Sequence, residues 1–441
     1  MTERTQNPEN EKAQESQGSQ ESRQENSVQI AALRATKFTL PVAAISFTIL
    51  LYVVGVEVYR GPHARLVGDL AVLVGMIGAI SVWWVFALVF RRYTSAASAN
   101  RRNYNGLRER LSQLQTRLKY ARPEGRVSQH NSGNDTYSAM QNRAFADALE
   151  QCKEIERKLD SKGMPWVTGL GYIELWHRTH RADEALIIVE PFLEALVGAI
   201  RDQSRLVNSN IAGKDLLLSR LNWTIAVLGG SDTGEEQQGV LSKEEQARPE
   251  NRVKALLMLS EVRYEINYFR DNVWEGIVHA RNRLADTAVL LGLATYALLA
   301  LAIFLESPPD TIIWATTYFL IGAIAGLFAR AQAEWGAETA VDDFGLSKTR
   351  LLQIPWLSGL AAVGGVVLLA VVDNIGNSAG SLTIANIFQN KPSFSLAAAI
   401  FGLTPDLIVR RLTQTVEQYK DDLQSVQSNR SVQDDAAPHI T

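Results

Sequence analysis

The sequence predicts an all-α polytopic membrane protein with a helical domain inserted between its second and third spans. Three observations predict it. Several apolar runs are long enough to cross a bilayer, basic residues gather at alternate ends of those runs, and helical periodicity fills the polar stretch between them.

The spans come first. A helix needs roughly 20 apolar residues to cross the hydrocarbon core. Runs at about 38–56 and 70–90 form an expected transmembrane hairpin over 38–90. Runs at 287–305, 311–329 and 355–372, with a shorter and interrupted one at 394–409, make an expected four-span module over 284–409. Arg34 and Lys37 precede the first run, and Arg91, Arg92, Arg101 and Arg102 follow the second. Arg281 and Arg283 precede the third, and Arg330, Lys348 and Arg350 follow the fourth. The loop after the third carries Glu306 and Asp310 instead, while Arg60 and Arg65 lie between the first two runs and Lys391 alone in the loop after the fifth, so the richer basic clusters alternate with poorer ones. Basic residues favour the cytoplasmic face, so both termini and residues 91–283 are expected inside. Arg91, Arg92, Arg410 and Arg411 are placed to meet lipid headgroups.

Within the sixth run, "GLTPD" interrupts the apolar pattern. Thr404 suits an N-cap, Pro405 a first helical position and Asp406 the positive end of a helix dipole. One helix is therefore expected to end near Gly402 and another to begin at Pro405. Gly402, Thr404, Pro405 and Asp406 are the hinge candidates. Charged residues sit at span ends, which counts against an ion-coupled transporter. Small residues recur at four-residue spacing, at Gly322 and Gly326, at Ala71, Gly75 and Ala79, and at Ala361 and Gly365. This spacing lets helix backbones approach closely; packing within the bundle is the expected use and homo-oligomer contact the alternative.

Residues 91–283 read as a cytoplasmic α-helical domain. Tyr104, Leu107, Leu111, Leu114 and Leu118 step by three and four, predicting a short coiled coil at 104–118. Breaks are expected at 161–165 and 180–183, and "ALIIVEPFLEALVGAI" (185–200) reads as one buried core helix. From about Arg248, Leu256, Leu259, Val262, Ile266 and Phe269 mark one face of a long helix running into the third span. Residues 1–37 and 428–441 are polar and expected to be disordered. Residues 410–427 carry a seam of Leu412, Val416, Tyr419, Leu423 and Val426, an amphipathic helix.

Chemistry-bearing motifs are few. His177, His180 and Glu184 stand at helical spacing and could form a two-His, one-carboxylate metal set, but Arg178 and Arg181 oppose a cation, so an ordinary polar helix end is expected. "DTG" (232–234) sits in a Gly/Glu/Gln loop. "AGKD" (212–215) lacks the earlier glycine and the Ser/Thr of a phosphate loop. The single cysteine, Cys152, rules out an internal disulfide and reads as structural. With 44 basic and 47 acidic residues the chain gives no electrostatic argument for nucleic acid. No catalytic set, metal or cofactor is expected.

"GLFARA…VDDFGLSKTRLL…GLAAVGGVVLLA" (326–370), followed by "AAIFGLTPDLIVRRL" (398–412), resembles the C-terminal membrane module of uncharacterised bacterial multi-pass proteins. "LWHRTHRADEALIIVEP" (175–191) is similar to a segment of their cytoplasmic part. The resemblance implies a bacterial inner (cell) membrane and no particular chemistry. The expected function is a non-enzymatic signalling, scaffold or effector protein. Its expected partners are the bilayer and either further copies of itself or a cytoplasmic protein. A gated channel or pore-forming effector, and then a membrane-bound enzyme, are the alternatives.

Overall fold

A computed structural model describes residues 27–58, 64–91, 101–121, 135–207, 209–229, 248–305, 308–335, 346–376, 387–388 and 391–405. The described residues form helices and the turns between them, with no strand. In chain order the helices are α1 (27–35), α2 (Thr39–Val58), α3 (Ala64–Phe90), α4 (Arg101–Ala121), α5 (Asp135–Leu159), α6 (Met164–Thr168) and α7 (Leu170–Leu186). There follow α8 (Phe192–Val207), α9 (Lys214–Gly229), α10 (Pro249–Phe304), α11 (Pro309–Trp335), α12 (Leu346–Gly376) and α13 (Pro392–Pro405). The chain divides into a unit of residues 1–35 and 87–280 and a unit of residues 36–86 and 281–441.

Five helices, α2, α3, α10, α11 and α12, are long and apolar enough to cross a membrane. In α10 the apolar stretch is the C-terminal part, where the sequence reads "TAVLLGLATYALLALAIF". The sixth apolar helix, α13, has fewer residues than a crossing needs in its described part. The membrane-type unit packs through small residues. A Cβ at Gly75 would lie 3.0 Å from the Thr48 backbone, and Ala71 and Ala79 on the same stripe are buried. A Cβ at Gly322 would strike Ala362, and one at Gly326 would strike Ser358. Both glycines of the GxxxG pair therefore face α12 of the same chain. At Gly402 a Cβ would stand 2.5 Å from the Gly322 Cα.

The helix end expected near Gly402 does not fall there. Residues 402–405 are helical, continuous with 392–401, and the Thr404 hydroxyl donates to the Ile400 carbonyl at 3.3 Å, as in a helix interior. Helical geometry continues past Gly402, which packs on α11; the second helix expected from Pro405 falls on residues outside the described ones. Asp406 lies outside the described residues.

In the other unit, Leu107, Leu111, Leu114 and Leu118 are buried in a core with Ala148, Ile155, Leu175 and Leu186. The seam expected to form a coiled coil is thus the α4 face of a bundle with α5 and α7. A second core joins Ala195, Ala199, Leu206 and Leu221 to Leu256, Leu259, Val262 and Ile266 of α10. The expected single helix over 185–200 is two. Pro191 disfavours helical geometry at Glu190 and suits the start of the next helix, so α7 stops at Leu186 and α8 starts at Phe192. The break expected at 180–183 lies inside α7. The break expected at 161–165 is present at Gly163 (φ 125°), and an unexpected one falls at Gly169 (φ 85°); a positive φ disfavours side chains at both. At the N-terminus, residues 27–35 are helical with Ala31 and Ala32 buried, so the expected disorder does not extend to residue 37.

Candidate functional site

The most demanding chemistry lies in the helical unit, where four helices bring charged side chains into the interior. In α10, Arg263, Asn267, Arg270 and Asp271 recur at helical spacing and form a polar stripe beside the apolar face. In α7, His177, His180, Asp183 and Glu184 do the same. Arg110 and Arg117 stand two turns apart on α4, and α8 adds Asp202. Asp183, Asp202, Arg263, Asn267 and Asp271 are all buried.

Asp183 is the hub. It pairs with Arg117, with Arg110 at 3.2 Å and with Arg263 at 3.7 Å. Arg117 also binds Glu190 in the α7–α8 turn, its Nε donating at 2.6 Å. The Nε of Arg263 donates to Asp202 at 2.7 Å. Burial opposes ionisation of Asp183, but Arg117, Arg263 and Arg110 together outweigh it and hold its carboxyl below the usual carboxylate range. Glu190 shows the opposite balance. There burial outweighs Arg117, its bound guanidinium, and the more remote Arg263, and raises the carboxyl.

A second set centres on His180, which is 5% exposed. Its Nδ1 lies 2.8 and 2.9 Å from the two Asp271 oxygens, and its Nε2 faces the Arg270 guanidinium. Arginine only donates. Nε2 is therefore the acceptor and Nδ1–H donates to Asp271, which makes His180 a neutral imidazole. Burial, reinforced by Arg270, lowers its proton affinity against the pull of Asp271. Trp176 and Trp274 enclose the ring at 5.8 and 5.9 Å, and Arg270 stacks over Trp274 at 4.9 Å. Asn267 donates to Glu184 at 2.7 Å and accepts from Arg270 at 3.0 Å.

This geometry corrects the reading of His177, His180 and Glu184 as an ordinary helix end. His180 and Glu184 belong to the buried network, while the His177 side chain is 47% exposed. The His180 lone pair is taken by Arg270, and no group of three or more potential metal ligands occurs among the described residues. Cys152 is buried beside Ile155, and burial pushes its thiol up to about 11. Lys214 of the Gly-Lys pair donates to the Val207 carbonyl at 3.2 Å. Arg91 directly follows α3; Arg92, Arg410, Arg411 and "DTG" (232–234) lie outside the described residues.

No family model, curated protein or solved structure matches this chain. The network missed in the sequence had one legible signal. Arg263, Asn267, Arg270 and Asp271 interrupt an otherwise apolar-faced helix at i, i+4, i+7 and i+8.

Glu184 gives the site a pH response. Burial pushes its carboxyl up to about 7 from 4.5, against the hydrogen bond from Asn267. The folded chain then holds this proton more tightly than the unfolded chain. Its stabilising contribution is complete below pH 4.5 and is lost as pH rises through about 7. Subtracting the stability–pH curve of Glu184→Gln from that of the parent should leave a component that falls by about 2–3 kcal/mol between roughly pH 5 and 8. The subtraction cancels the opposite response of His180. A flat difference curve from denaturant titrations in micelles would show that Glu184 titrates as in water.

Proposed function

We propose that this chain is an integral membrane signalling, scaffold or effector protein without catalytic activity. In this reading the helical unit faces the cytoplasm, both termini are cytoplasmic, and the membrane-type unit lies in a bacterial inner membrane. Its working partner is a cytoplasmic protein or a further copy of the chain. The positive-inside pattern of Arg34, Lys37, Arg281 and Arg283 supports this orientation.

One observation carries the reading. A single helix, α10, holds Arg263, Asn267, Arg270 and Asp271 in the charge network and ends in an apolar segment of crossing length. Buried charge pairs have few acceptable arrangements, because each broken pair leaves a desolvated charge. Such a network resists gradual distortion and shifts between discrete pairings. An unbroken helix is stiff enough to carry a rotation or shift from the network to the spans.

Two measurements test it. Single cysteines at His130 and Glu235 should be shielded from an impermeant maleimide in intact cells; labelling from outside would overturn the orientation. For coupling, Gly276 of α10 has open space around its Cβ position, so Gly276→Pro should break the helix without an outside clash, with Gly276→Ala as control. Loosening the bundle by Gly402→Ala should raise hydrogen exchange in α7 and α8 with Gly276→Ala present. With Gly276→Pro present it should not. Equal exchange in both backgrounds would overturn the coupling.

A further inference from the structure

The membrane-type unit contains a cavity of about 520 Å³ between α2, α10, α11 and α12, reaching Ile387 and Phe388. This lies within the roughly 300–1,000 Å³ of ordinary ligand pockets. Its wall is almost wholly aliphatic and aromatic. Of the hydroxyls on it, Thr295 and Thr316 donate to carbonyls of their own helices, Leu291 and Ile312, at 2.9 and 2.8 Å. An occupant meets no hydrogen-bond demand from these threonines.

Shape and setting narrow the occupant further. The lining runs from Leu305, just past the end of α10, back to Thr295 on that helix and from Val367 back to Trp356 on α12. At 1.5 Å per residue each path is about 15 Å, half of the roughly 30 Å hydrocarbon core and so one leaflet deep. On its wall Ile312 is only 2% exposed, whereas Leu298, Leu301 and Leu320 are each more than half exposed. The slot therefore opens sideways on the outer face of the bundle. Three residues beyond Phe388, Lys391 pairs with Asp373 at 3.3 Å with both side chains well exposed, a couple whose opposite charges match the phosphate and ammonium of a zwitterionic headgroup.

We infer that this slot is a binding site for one acyl chain of a phospholipid, which enters sideways from the bilayer and is held between α2, α10, α11 and α12. The inference rests on the membrane reading above, and the experiment separates the two. The full chain, purified in mild detergent, should retain one phospholipid per chain in native mass spectrometry. Ala315→Phe or Ala302→Phe, each placing a ring in the slot, should lower that occupancy about tenfold. Ile77→Phe, on the exposed face of α3, should leave it unchanged. In phosphatidylcholine vesicles with brominated chains, the fluorescence lost on Trp356→Phe should be quenched in the parent, an observation that needs no filled variant. If the protein floats with vesicles but retains no phospholipid, or retains it equally in both filled variants, the slot is no lipid site. If the protein does not float with vesicles at all, the membrane reading itself fails.

Discussion

Asp183→Ala is expected to cost the helical unit about 3–5 kcal/mol, the range for removing one partner of a buried charge pair. Asp183 is the anion that Arg110, Arg117 and Arg263 share. Arg117 keeps Glu190 and Arg263 keeps Asp202, yet both guanidiniums would then share an interior short of one negative charge. Asp183→Asn preserves the shape and should cost nearly as much, since the charge is what is missing. Arg205→Ala is the contrast. Arg205 also pairs with a network carboxylate, Asp202, at 3.5 Å, but its side chain is 56% exposed, and a pair of that kind contributes about 0–1 kcal/mol. Denaturant titration in micelles, followed through the nearby tryptophans Trp176 and Trp274, reads all three. A loss below about 1 kcal/mol for Asp183→Ala would mean that the network is solvated and its hub dispensable.

Gly402→Ala should destabilise the membrane-type unit by about 1–3 kcal/mol, although alanine is the better helix former. At an open helical position the exchange gains roughly 0.5–1 kcal/mol. At Gly402 the new Cβ would meet the Gly322 Cα at 2.5 Å and its carbonyl oxygen at 2.7 Å. Both are backbone atoms, so relief requires α13 to move off α11. Gly364 on α12 has nothing within 4 Å of its Cβ position, and Gly364→Ala should be neutral or stabilising. Thermal melting of the two variants in micelles should therefore shift in opposite directions. A shared direction would indicate that helix propensity, and not contact, governs this bundle.

Much of the architecture was legible because it rests on signals local to the chain. The apolar runs of α2, α3, α11 and α12 are unbroken, and the Leu256, Leu259, Val262 and Ile266 face announced α10 before its far end was reached. Three features were not legible, each because a distant contact overrides a local preference. The glycine of "GLTPD" reads as a helix end, but Gly402 is pinned to Gly322, eighty residues earlier, and stays helical. The leucines of α4 have the spacing of a self-associating seam, but α5 and α7 cover them. The charge network draws on residues from Arg110 to Asp271; outside the α10 stripe, each looks like part of a solvated polar face until the helices assemble.

Cys152 has a practical consequence. Its sulfur is buried in the core that α5 shares with α4 and α7, and its thiol holds its proton far above neutrality, while thiol-directed reagents attack only an accessible thiolate. The unmodified chain is thus chemically silent toward such reagents, and any cysteine introduced for spectroscopy or crosslinking reports from a blank background.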